Sequence, residues 1–165
     1  MLNEDQLSDF ERDGFLVVKG LYDTDEMREI TAWTNEVTNY PEVPGKYMMY
    51  FEQSKLEQKQ RILSRLEDFE PYHKGFSQLF NDEKMKGSIS QLFTEEAVLY
   101  KDKINFKMPG GDGFKAHQDV QAGWDRYAKI HITALVSIDA TTLENGCLEM
   151  AAGQHRQGLI GEQWQ

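Results

Sequence analysis

The hydrophobic period of this chain changes near Ala97, and that change limits the fold more than any single motif does. Before it, apolar residues recur at helical spacing: Leu7 with Phe10, then Met27, Ile30 and Val37, then Met85, Ile89, Leu92 and Phe93. After it, they alternate. Ile104, Phe106 and Met108 are interleaved with Lys103, Asn105 and Lys107. Ile130, Ile132, Ala134, Val136 and Ile138 are interleaved with His131, Thr133, Leu135 and Ser137. A period of two gives a strand one apolar and one polar face. Asn145-Gly146 is a tight-turn dipeptide that leads into Cys147-Leu148-Glu149-Met150. The pattern predicts one α+β domain over residues 1–165, with N-terminal helices feeding a mostly antiparallel β part.

Local signals subdivide the N-terminal half. Asn3-Glu4-Asp5-Gln6 reads as a helix start with Gln at the capping-box position, and Asp13-Gly14 as its end. Phe15-Leu16-Val17-Val18 is a short apolar strand candidate. Asp23-Thr24-Asp25-Glu26 starts a second helix. From Pro41 to Tyr72 the chain is polar, and a charged helix is expected over Leu56–Leu66.

Composition narrows the function classes. The 165 residues can bury one core, and 39% hydrophobic residues fit an ordered chain. A net charge of −10 argues against general binding to nucleic acid or an anionic membrane, which need a basic surface. Cys147 is the only cysteine, so an intrachain disulfide is excluded and a thiolate zinc site is disfavoured. There is no apolar run of about 18 residues, and the N-terminus lacks a basic start followed by an apolar stretch. A soluble, cytoplasmic protein acting on a small molecule is the expectation.

The chemistry concentrates at His117-Gln118-Asp119, which follows the Gly-rich approach Met108-Pro109-Gly110-Gly111-Asp112-Gly113. In extended chain, residues two apart project to one side. One imidazole and one carboxylate presented together make two-thirds of a 2-His-1-carboxylate triad, the open-sided site of non-haem Fe(II) oxygenases. Gln118 is expected to face away as a packing or supporting residue.

With these residues placed, the chain resembles the phytanoyl-CoA dioxygenase family and its ectoine-hydroxylase-like relatives. Three segments carry the likeness: Phe10-Glu11-Arg12-Asp13-Gly14-Phe15-Leu16-Val17-Val18; Lys103-Ile104-Asn105-Phe106-Lys107 with His117-Gln118-Asp119 and Trp124; and Glu144-Asn145-Gly146-Cys147-Leu148 with Gly153-Gln154-His155-Arg156. Ala152 and Gln154 stand where the family carries Pro and Ser. The resemblance implies part of a double-stranded β-helix (a cupin-like jelly roll), Fe(II) as cofactor, and 2-oxoglutarate and O2 as co-substrates. It implies His117 and Asp119 as metal ligands, Lys103, Asn105 and Thr133 as contacts to 2-oxoglutarate, and Trp124 as a substrate contact. His131 is expected to be a hydrogen-bonded strand residue, not a ligand.

The family also carries a distal iron-binding His and an Arg for the far carboxylate of 2-oxoglutarate, and neither has a counterpart in this sequence. The chain is therefore expected to be a fragment that ends inside the β-helix. The implied activity is hydroxylation of a small organic substrate, coupled to decarboxylation of 2-oxoglutarate to succinate. Two other classes remain at this point: a cupin-like enzyme using another metal, such as zinc or manganese, and a non-catalytic jelly-roll binding domain. Substrate and oligomeric state are not legible.

Overall fold

The computed structural model describes residues 1–57 and 59–164. Helix α1 spans Glu4–Asp13 and α2 spans Thr24–Thr38. Both begin with the reciprocal cap that their sequences predict. The Asn3 side chain accepts from Gln6 N while Gln6 Oε1 accepts from Asn3 N, each at 2.9 Å. Asp23 Oδ1 accepts from Asp25 N and Glu26 N, and Glu26 Oε2 returns the contact to Asp23 N. Each cap satisfies backbone donors that have no partner inside the helix.

Helix α3 spans Lys74–Asn81, and a π-type turn at Glu83–Gly87 runs into α4 at Ser88–Phe93. His73 is buried and caps α3, its Nδ1 accepting from Phe76 N at 3.1 Å. Three antiparallel strands, β1 (Met48–Gln53), β2 (Arg61–Glu67) and β3 (Lys103–Asn105), form one sheet in the order β1-β2-β3. The core lies between helices and sheet. Ile30 and Val37 of α2, Leu66 of β2, Phe69, and Phe76 and Leu79 of α3 are all buried there. Phe69 and Phe76 meet edge to face at 5.0 Å. No helix among the described residues is long and apolar enough to cross a membrane.

The architecture is thus α+β, but three predicted elements differ from what is observed. The charged helix expected over Leu56–Leu66 is absent. Arg61–Glu67 is instead β2, because Ile62, Leu63 and Leu66 bury their side chains while pairing with β1. Cross-strand pairing and burial outweigh the helix-favouring charges. Phe15–Val18 is not a strand, and Val17 is 69% exposed. The alternating segment Ile130–Ile138 is not a strand. Strands need neighbours to accept their backbone bonds, and none pairs with these segments among the described residues. Asn145-Gly146 does turn: Gly146 has φ 82°, and Cys147 N donates to Thr142 O at 2.9 Å.

The C-terminal end of α1 docks a distant segment. Gly14 adopts φ +79°, and its N–H donates to Phe10 O at 2.8 Å. Gly153 N donates to Asp13 O at 2.7 Å, and Arg156 Nη2 to Glu11 O at 2.7 Å. A Cβ at position 14 would lie 2.2 Å from His155 Nδ1. Gly14→Ala is therefore expected to destabilise by about 2 kcal/mol, from left-handed backbone strain and displacement of the imidazole. Thermal unfolding checks this. Adding His155→Ala should recover the steric share and leave the backbone share.

Candidate metal centre

His117 and Asp119 are brought together. Gln118 between them is extended (φ −106°, ψ 136°), so its two neighbours project to one side, and Asp119 then opens a 3-10 turn over Asp119–Ala122. His117 Nε2 lies 3.6 Å from Asp119 Oδ1, and the side chains are 30% and 37% exposed. The other atom of each group is already engaged. His117 Nδ1 is 2.6 Å from Lys115 O, a carbonyl that can only accept, so Nδ1 donates there and Nε2 is the nitrogen left to ligate a metal. Asp119 Oδ2 accepts from Thr133 Oγ1 at 2.5 Å. The two unengaged atoms are the two that face each other.

This donor set fits a divalent metal. A neutral imidazole with its far nitrogen bonded to a backbone carbonyl is the usual state of a ligating histidine. Adjacent donors on an octahedral ion with bonds of about 2.1 Å sit about 3.0 Å apart, so small side-chain rotations would let one ion bridge the pair. Among the described residues, no group of three or more His, Cys, Asp or Glu gathers at one place.

The approach to His117 is tied to the β1–β2 loop. Lys55 N donates to Gly110 O at 2.8 Å, where Gly110 adopts φ +85°. Lys55 Nζ lies 2.5 Å from Asp112 Oδ1, and Asp112 N donates to Glu52 Oε1 at 3.1 Å. The Lys55 ammonium holds the Asp112 carboxyl below the usual carboxylate range. On the other side, Gln118 grips the segment after Gly158: its Nε2 donates to Gly158 O at 2.9 Å and its Oε1 accepts from Ile160 N at 2.6 Å. Gln121 Nε2 donates to Glu162 O at 3.0 Å, and Trp164 N to Gln121 O at 2.7 Å. These bonds bring the Trp164 ring to 5.4 Å from the His117 imidazole.

Of the other site residues predicted from the sequence, Lys103 and Trp124 lie together. Lys103 on β3 places Nζ 5.9 Å from the centre of the Trp124 ring. Trp124 in turn packs beside Tyr100 and His131, each ring pair at 5.9 Å, and its carbonyl lies 2.9 Å from His131 Nε2. His131 is hydrogen-bonded as expected, though not within a strand. Asn105 is exposed and paired with Arg65 across β2–β3. Lys107 is not a free surface cation: its Nζ donates to Gly146 O. Sequence reasoning missed Trp164 and Gln121. Gln118-x-x-Gln121 is a capping-type spacing that could have flagged the turn, whereas nothing local marks Trp164.

Comparison with known proteins matches this sequence to a family. The family model for phytanoyl-CoA dioxygenase (PhyH) matches residues 10–165. The chain is 44% identical over 150 residues to a 2-aminoethylphosphonate dioxygenase from Uncultured bacterium HF130_AEPn_1, covering 91% of this chain and 57% of that protein. It is 33% identical over 159 residues to a methylphosphonate hydroxylase of Gimesia maris, covering 96% of this chain and 59% of that protein. It is 27% identical over 165 residues to an ectoine dioxygenase of Halomonas elongata, covering 94% of this chain and 46% of that protein. The chain thus spans under three-fifths of the length of these relatives. No solved structure matches it. With its family model matched from residue 10 to residue 165, the chain belongs to the phytanoyl-CoA dioxygenase (PhyH) family.

Proposed function

We propose that this protein is an Fe(II)- and 2-oxoglutarate-dependent dioxygenase that hydroxylates a small organic substrate. The observation that carries the reading is the facing pair His117 Nε2 and Asp119 Oδ1, 3.6 Å apart, with the far atom of each side chain already hydrogen-bonded. His117 and Asp119 supply two protein donors of a 2-His-1-carboxylate site, within a domain that forms part of a double-stranded β-helix. When bound there, Fe(II) supplies the redox chemistry that couples O2 and 2-oxoglutarate to substrate oxidation.

The chain's own residues bind, orient and shield. Lys103 offers an ammonium and Asn105, two residues on along the same face of β3, offers an amide; both would hold a carboxylate of 2-oxoglutarate by hydrogen bonds. Trp124 stands beside Lys103 and forms a wall for the substrate. Trp164 covers one side of the His117 imidazole and limits water there. A small phosphonate is the substrate class we favour, because the relatives at 44% and 33% identity are named for 2-aminoethylphosphonate and methylphosphonate.

The test combines binding and turnover. Fe(II) or Mn(II) at 100 times Kd should stabilise the protein by about 2.7 kcal/mol by mass action. In the full-length protein, Fe(II)-dependent succinate release should rise when 2-aminoethylphosphonate or methylphosphonate is added. A protein that neither gains stability with metal nor releases succinate would remove the oxygenase reading and leave a binding domain.

A further inference from the structure

Thr133 was expected from the family resemblance to touch 2-oxoglutarate, yet its hydroxyl is committed elsewhere. Thr133 Oγ1 lies 2.5 Å from Asp119 Oδ2. A carboxylate only accepts, so the hydroxyl donates. The placement is not accidental to one side chain. His131 Nε2 meets Trp124 O at 2.9 Å, and in extended chain residues 131 and 133 project to the same side. The segment is therefore anchored at Trp124 by one residue and reaches Asp119 with the next on that face. Thr133 thus reaches Asp119 from an exposed position, next on its face to the His131 that the Trp124 carbonyl anchors.

Resting on the metal reading above, we propose that Thr133 is a positioning residue that holds Asp119 one-sided, so that only Oδ1 is offered to the ion. A carboxylate free to rotate could close both oxygens on the metal. On an octahedral ion that second contact would occupy a position that the co-substrate or O2 requires. With Oδ2 held by the Thr133 hydroxyl, Oδ1 stays 3.6 Å from His117 Nε2, and a bound ion would keep a position for the co-substrate. The Lys115 carbonyl does the same for the imidazole by fixing Nδ1. Two supporting bonds, one from fourteen residues away in sequence, thus choose which atoms form the site.

Thr133→Val keeps the shape and removes the hydroxyl, and Thr133→Ser keeps the hydroxyl and removes the methyl. Thr133 is exposed, so neither change should disturb the core. The probe is Mn(II) alone, titrated into wild-type protein, T133V, T133S and H117A, with free Mn(II) read by electron paramagnetic resonance. T133V should bind Mn(II) about tenfold more weakly, because the ion must then fix a carboxylate that the hydroxyl no longer orients, the loss typical of an outer partner of a metal ligand. T133S should return to within about twofold of wild type, and metal-free melting should be the same for all three proteins. T133V binding like wild type, or T133S as weak as T133V, overturns the role of Thr133 while H117A still separates from wild type. A T133V protein that fails to fold overturns it too, since the hydroxyl would then hold the fold. If wild type and H117A bind alike, or neither binds, the metal reading itself fails and this inference falls with it.

Discussion

His117→Ala in the full-length protein is expected to lower Fe(II)-dependent turnover by well over 100-fold while leaving the protein folded. Losing a mere outer partner of a metal ligand costs about 10–100-fold, so losing the ligand should cost more. Its neighbours make the substitution a clean one. The imidazole sits in a loop, 30% exposed, bonded to the Lys115 carbonyl and flanked by Trp164. Removing it leaves no buried cavity and orphans only a carbonyl that water can reach. Metal-free stability should move by less than about 0.5 kcal/mol, as for ordinary surface changes. Metal content and succinate release, measured beside a melting curve, check both halves. Turnover that survives in H117A would take His117 out of the site.

Asp102→Ala should have the opposite profile, collapsing stability before anything else. Asp102 is 7% exposed and lies just before β3. Its Oδ1 accepts from Asp68 N at 2.7 Å, and its Oδ2 from Phe69 N at 2.9 Å and Glu70 N at 2.5 Å. One carboxylate therefore satisfies three consecutive backbone donors where the chain leaves β2, around the fully buried Phe69. Alanine would leave those donors without their partner, the Phe69 N–H in a buried position and the other two in partly buried ones. Hydrogen bonds to a charged acceptor contribute about 1.5–3 kcal/mol each and are not additive, so a total loss of about 3–5 kcal/mol is expected. For a chain of this size that is roughly a 10 °C fall in melting temperature. Asp102→Asn, which keeps one acceptor oxygen, should fall between. The β2–β3 pairing that carries Lys103 and Asn105 depends on this junction, so metal binding and 2-oxoglutarate binding should separate in the variant. A D102A loss under about 1 kcal/mol would mean that water replaces the carboxylate.

What could be read in the sequence was local. The caps at Asn3 with Gln6 and Asp23 with Glu26 link residues three apart, and the structure forms both. The end of α1 at Gly14 and the turn at Asn145-Gly146 follow from backbone conformations that glycine adopts freely. Asp102 gave no local sign of its role, because its three donors lie more than thirty residues away. The same distance problem hid the hairpin. Leu56–Leu66 carries helix-like charges, and only the core built by α2 and α3 makes Ile62, Leu63 and Leu66 worth burying as a strand.

The candidate site divides in the same way. The sequence by itself determined which two ligand-type side chains are close, because residues 117 and 119 flank one extended residue and cannot avoid sharing a side. It also determined the family, through segments spread from residue 10 to the end of the match. Tertiary structure alone decided which oxygen of Asp119 is presented. Thr133 arrives from fourteen residues downstream, and Trp164 is delivered to His117 by hydrogen bonds from Gln118 and Gln121 to residues some forty positions away. Short-range backbone geometry constrains direction, whereas the choice of one carboxylate oxygen over the other depends on a donor that only folding brings near.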